Sequence, residues 1–102
     1  MLSFLYLTTK GWKTGKEHRI EIWFVEHCGR FFLISEGGMN AHWVQNVTKD
    51  SGVSFRVGEK SYAGTARLVD ATKEPKLASE VKALMESKYK WSDGLIVDLS
   101  PR

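Results

Sequence analysis

Apolar and polar side chains alternate with a period near two over six short stretches: Ser3 to Thr9, His18 to Glu26, Arg30 to Ser35, Val53 to Val57, Ser61 to Val69 and Leu95 to Leu99. Such alternation predicts β-strands with one face turned to a core. The links are turn-rich, namely Gly11 to Lys16, His27-Cys28-Gly29 and Gly58-Glu59-Lys60. The last reads as a hairpin, and links this short make neighbouring strands antiparallel. Two of the stretches, around Trp23-Phe24-Val25 and Phe31-Phe32-Leu33-Ile34, are apolar on both faces. One face can line a barrel; the other needs helices, a flat aromatic ligand or a second subunit against it.

The period lengthens to that of a helix twice. Glu74 and Pro75 suit a first helical turn after Thr72, with Leu77, Val81, Leu84 and Met85 on one face and Lys76, Glu80 and Lys82 on the wet one. A shorter helix is expected from Ala41 to Thr48, with Trp43 and Val47 one turn apart. Six strands with one short and one longer helix in 102 residues favour a small closed or nearly closed barrel, because an open sheet would leave vulnerable edges. One domain, 1–102, accounts for the chain, and 42% hydrophobic content supplies its core.

Composition adds few constraints. No stretch approaches the roughly 18 to 20 apolar residues of a transmembrane segment, and Met1-Leu2-Ser3-Phe4 lacks the features of a secretory signal, so a cytoplasmic protein is expected. Cys28, the single cysteine, has no internal disulfide partner and reads as a bystander in a turn. His18, His27 and His42 show no metal-ligand spacing, and Thr8, Ser35 and Ser54 sit in no nucleophile motif, so no metal site is expected and no catalytic residue stands out.

Charge changes the picture more. The net +3 resides in one turn, where Lys10, Lys13, Lys16 and Arg19 face a single Glu17. Glycines at 11 and 15 let backbone bend closely around a ligand, so phosphate capture is one reading and a solvated hairpin that discourages edge pairing is another. Charge confined to one loop is modest for a polyanion, which argues against nucleic acid, although Trp12, Trp23 and the lysines could stack on and neutralise a strand. Ser35-Glu36-Gly37-Gly38 suits backbone approach to a planar ring, or a plain connector. Trp43 taken alone reads as core packing before a pocket border.

Several of these segments together resemble a known family. Leu7-Thr8-Thr9-Lys10-Gly11-Trp12-Lys13-Thr14-Gly15-Lys16-Glu17-His18-Arg19, Ser35-Glu36-Gly37-Gly38, Trp43-Val44-Gln45-Asn46-Val47, Val53 to Gly58 and Ala63 to Arg67 are similar to the deazaflavin (coenzyme F420)-dependent nitroreductase and quinone reductase family. That family lies within the FMN-binding, pyridoxamine 5'-phosphate oxidase-like group. The resemblance implies a mainly β, six-stranded antiparallel split β-barrel and a homodimer. It implies that Lys13, Thr14, Gly15 and Arg19 hold the cofactor phosphate, with Lys16 reaching the same anion or its tail. Ser35, Glu36, Gly37 and Gly38 would face the cofactor ring, Trp43 and Asn46 would form the Trp-x-x-Asn border, and Tyr89 and Trp91 would wall the substrate side.

The implied activity is hydride transfer between a deazaflavin, with FMN as the alternative cofactor, and a small organic electron acceptor such as a quinone or nitro compound. The cofactor carries the hard chemistry in such enzymes, which suits the lack of an obvious acid or base. A non-catalytic carrier or sensor on the same barrel is the competing expectation. The sequence departs from the family at Glu21-Ile22, where Pro-Leu is common, at Met39 to His42, where prolines are common, and in starting close to the first strand.

Overall fold

In the computed structural model, which describes residues 3–11 and 14–102, the strands are β1 (Phe4–Lys10), β2 (Glu17–Trp23), β3 (Val25–His27), β4 (Arg30–Ser35), β5 (Gly52–Val57), β6 (Lys60–Val69) and β7 (Leu95–Pro101). Trp12 and Lys13 lie outside the described residues. All strands pair antiparallel in one sheet ordered β2-β1-β5-β6-β7-β4-β3. The mainly β fold with a short α1 (His42–Lys49) and a longer α2 (Pro75–Tyr89) agrees with the sequence pattern.

Seven strands replace the six expected because the stretch His18 to Glu26 divides at Phe24. β2 pairs with β1 at one end of the sheet, and β3 pairs with β4 at the other. One residue therefore joins the two edges, which requires the sheet to roll up. Phe24 buries its ring in the interior and lets go of the strand ladder. Its backbone polar groups would be costly to bury unpaired. They find partners at the end of α2: the Phe24 N–H donates to the Tyr89 hydroxyl at 3.1 Å, and the Phe24 carbonyl accepts from Lys88 Nζ at 2.9 Å. The Tyr89 hydroxyl has one proton to share between the Phe24 and Ser3 carbonyls.

Two cores follow from the strand alternation. Leu5, Leu7, Phe31, Leu33, Phe55, Val97 and Leu99 fill the interior of the roll. Phe32, Ile34, Val69 and Ile96 turn outward and are covered by Ala78, Val81 and Met85 of α2. The doubly apolar β4 is thus explained by helix cover on its outer face. Pro75 begins α2, and Lys90, in the left-handed region at φ 58°, ends it. The buried stripe runs 78-81-85, so Leu84, expected inside, lies off it and is 38% exposed.

On that outer face Asp98 is fully buried and accepts from Arg30 at 2.8 Å and Arg67 at 3.0 Å. Arg67 also binds Glu74, just ahead of α2, at 2.5 Å. This bond holds the Glu74 carboxyl below its ordinary range and raises the Arg67 guanidinium. Cys28 is exposed and adopts φ 54° beside Gly29 at φ 76°, the two left-handed positions of a tight hairpin between His27 and Arg30.

Candidate functional site

Two clefts lie along β2. The first, about 610 Å³, is bounded by Gly11, Thr14, His18 and Ile20 on one side and by His42, Trp43, Gln45 and Asn46 of α1 on the other. The second, about 570 Å³, lies between Glu21, Ile22 and Trp23 of β2 and Ile34 and Glu36 at the end of β4, with Phe4 and Trp91 at its sides. Ile20 and Ile22 both pack on the interior core, two residues apart on one face of β2. Each cleft has one of these two isoleucines in its lining.

The second cleft marks the split of the barrel. β3 is three residues long and pairs only with Arg30 to Phe32. Beyond Phe32, β4 keeps β7 on one side and has no strand partner on the other among the described residues. β2 is likewise an edge strand. Two unpaired backbone edges flanked by aromatic rings suit a planar heterocycle that is hydrogen-bonded along its rim.

The turn before β2 is closed by its own backbone. Gly11 N–H donates to the Lys16 carbonyl at 2.7 Å, and Gly15 N–H donates to the Gly11 carbonyl at 2.8 Å, so the Gly15 amide is spent within the turn. Thr14 Oγ1 accepts from the Lys16 N–H at 3.3 Å and keeps its own proton to donate. A Cβ added at Gly11 would lie 2.9 Å from His18 Nε2 and 3.2 Å from Thr14 Oγ1. The missing side chain leaves a small cradle at which these two polar atoms converge. A hydroxyl donor, an imidazole and side-chain amides beside an indole and Ile20 fit the phosphate-bearing arm of a flavin-type cofactor.

The residues singled out in the sequence are distributed as follows. Thr14, Trp43 and Asn46 share the first cleft, and Gly15, at φ 72°, stands in the turn beside it with Lys16 exposed. Arg19 alternates to the opposite face of β2 from His18 and Ile20, with its guanidinium 4.2 Å over the Tyr6 ring. Lys13 lies outside the described residues. Glu36 and Trp91 line the second cleft. Ser35 is buried and donates to the Gly38 carbonyl at 3.1 Å, shaping the bend after β4, in which Gly38 takes φ 58° while Gly37 is ordinary at φ −76°.

Two of them also have structural work. Asn46 is buried and donates to Thr9 Oγ1 at 3.0 Å, fastening α1 to β1, and Trp43 packs partly on the interior core. Tyr89 stacks flat on Trp23 at 4.5 Å behind the cleft wall, with Trp91 edge-on to Trp23 at 5.9 Å. His18, His42, Gln45, Trp23, Phe4 and Glu21 also line the clefts and were not singled out as site residues. A signal was present for the first of these: His18 lies between Gly15 and Arg19, two residues expected at the phosphate.

Residues 1–94 match the family model of the F420H(2)-dependent quinone reductases. The chain belongs to this family. This F420H(2)-dependent quinone reductase family member is similar to the F420-H2 dependent reductase FDR-A, at 27% identity over 96% of this chain and 94% of that one, with a TM-score of 0.67. A protein solved as a domain-swapped dimer shares 28% identity over 95% of this chain and 78% of the other, with a TM-score of 0.65. At the level of fold alone, it is similar to HutZ, a heme storage protein from Vibrio cholerae, at 16% identity, 98% and 82% coverage and a TM-score of 0.77. No curated protein matches the chain. The family member is an oxidoreductase, and its cofactor is coenzyme F420.

Proposed function

We propose that the protein holds coenzyme F420 along β2, with the phosphate at the Gly11 turn and the ring at the split of the barrel, and passes a hydride to a small quinone or nitro acceptor. The placement of both clefts along β2 carries this reading, since Ile20 lines the one and Ile22, two residues on, lines the other. Lys13, Thr14 and Lys16 would anchor the phosphate, lysine supplying a point charge and threonine a neutral donor, whereas Arg19, expected in the same clamp, faces the other side of β2 over Tyr6 and stands outside it. Ser35 to Gly38 would meet the ring edge, Trp43 and Asn46 would border it, and Tyr89 and Trp91 would back the acceptor side. The bound deazaflavin supplies the two-electron hydride chemistry. The protein contributes orientation and a sheltered pocket.

Parallel fluorescence titrations with coenzyme F420 and FMN test the assignment. Saturable binding of the deazaflavin at micromolar or lower concentration is expected, and K16A is expected to weaken it about tenfold, or roughly 1.4 kcal/mol. Unchanged affinity in K16A would remove Lys16 from the clamp. Tight binding without turnover of any quinone or nitro compound would favour a carrier.

A homodimer belongs to the same proposal. Phe4 and Trp23 are direct cross-strand partners on the outer face of β1 and β2, 40% and 45% exposed, and Tyr6 and Arg19 extend the patch. Contiguous exposed aromatics mark an interaction surface, and a partner there would shelter Arg19. The relative solved as a domain-swapped dimer supports the same state. Light scattering is expected to give twice the chain mass of 11.6 kDa; the single-chain mass would refute it.

A further inference from the structure

His18 and His42 have no task in the reading above. They belong to separate elements, β2 and the first turn of α1, yet line the same cleft as Thr14. The His18 Nε2 and the Thr14 hydroxyl converge on the space above Gly11. The lining of this cleft contains no carboxylate among the described residues. Of the elements around it, the turn brings Lys16, β2 brings Glu17, Glu21 and, on its other face, Arg19, β1 brings Lys10, and α1 carries His42 and Lys49 and ends at Asp50. The acids among these line neighbouring clefts instead, Glu21 the second one and Glu17 and Asp50 a third.

We propose that His18 and His42 are anion-binding residues of this cleft, each adding a positive charge and an N–H donor toward the phosphate-bearing arm of the cofactor when protonated. This inference rests on the assignment of the cleft to that phosphate. Imidazole ordinarily changes charge between about pH 5 and 8, and protonation turns it from one donor and one acceptor into two donors. The added charge is present at low pH and lost as pH rises. Grip on a phosphate-bearing ligand thus weakens from mildly acidic to mildly alkaline solution.

The test is a fluorescence titration with coenzyme F420 at about pH 5.5 and pH 8, in the unaltered protein, in the H18Q/H42Q double variant and in T14V. The unaltered protein is expected to bind about fivefold more tightly at the lower pH, as two partly exposed charge contacts allow. The double variant is expected to lose that difference. Ionisation of the ligand itself is common to all arms, so a change in the pH dependence belongs to the imidazoles. Both histidines are exposed, so glutamine leaves the fold undisturbed. An equal pH dependence in the double variant, with T14V weakened, would overturn this inference alone. Unchanged affinity in T14V would overturn the cleft assignment and the inference with it.

Discussion

Replacing Arg30 and Arg67 together with methionine is expected to cost about 3 to 5 kcal/mol of folding stability, a large share of the roughly 5 to 15 kcal/mol typical of a domain. The cause is Asp98, fully buried on the outer face of the sheet and neutralised by these two guanidinium groups at 2.8 and 3.0 Å. Without them a carboxylate stays in an apolar setting with the Ser100 hydroxyl, at 3.4 Å, as its remaining partner among the described residues. Adding D98L to the same background is expected to return most of the loss, because replacing all the members of a buried ionic cluster by apolar groups is often close to neutral. Urea unfolding at neutral pH measures both steps. A loss under about 1 kcal/mol in the double variant would show that Asp98 is not sustained by this pairing.

Substituting Gly94 with alanine is expected to be comparably damaging and to reach the cofactor site. Gly94 sits at φ 143°, a region that side-chain-bearing residues rarely enter, and an added Cβ would fall 2.2 Å from the Ser35 carbonyl oxygen and 2.8 Å from Ile34. Backbone cannot yield as a flexible side chain can, so β7 and the end of β4 must separate where Ser35 pairs with Leu95. About 3 kcal/mol or more is lost on strain and packing together. Coenzyme F420 affinity is expected to fall at least about tenfold as Ser35 and Glu36 shift. Thermal unfolding and the cofactor titration read the two effects separately; a G94A protein with unaltered melting and affinity would contradict this account of the bend.

The strand pattern was legible because a period of two survives wherever one face is buried, and the links at Cys28-Gly29 and Gly58-Glu59 carry turn chemistry in their residues. What the pattern could not carry was the division at Phe24. An apolar run from Ile20 to Val25 reads the same whether it stays in one ladder or changes edges, since the decisive groups, Lys88 and Tyr89, lie more than sixty residues away. Leu84 misled for a related reason: helical spacing permits two neighbouring stripes, and only the shape of the sheet beneath chooses the one through Ala78.

The candidate site was legible as a set of residues rather than as an arrangement. Thr14, Trp43 and Asn46 do gather in one cleft, though Asn46 also ties α1 to β1. Arg19 alternates to the other face of its strand, a consequence of register that its place in a motif does not reveal. Tyr89, expected as a wall, braces Trp23 from behind.

The seam at Phe24 also ties distant parts of the chain together. Its partners on α2 are separated from it by 64 and 65 residues, so the seam closes a loop of well over half the chain. Contacts of such long range form at a high entropic cost and slow a fold down. The cleft between β2 and β4 is bordered by this seam, and so the ligand site rests on a contact that no local stretch of the sequence can form alone.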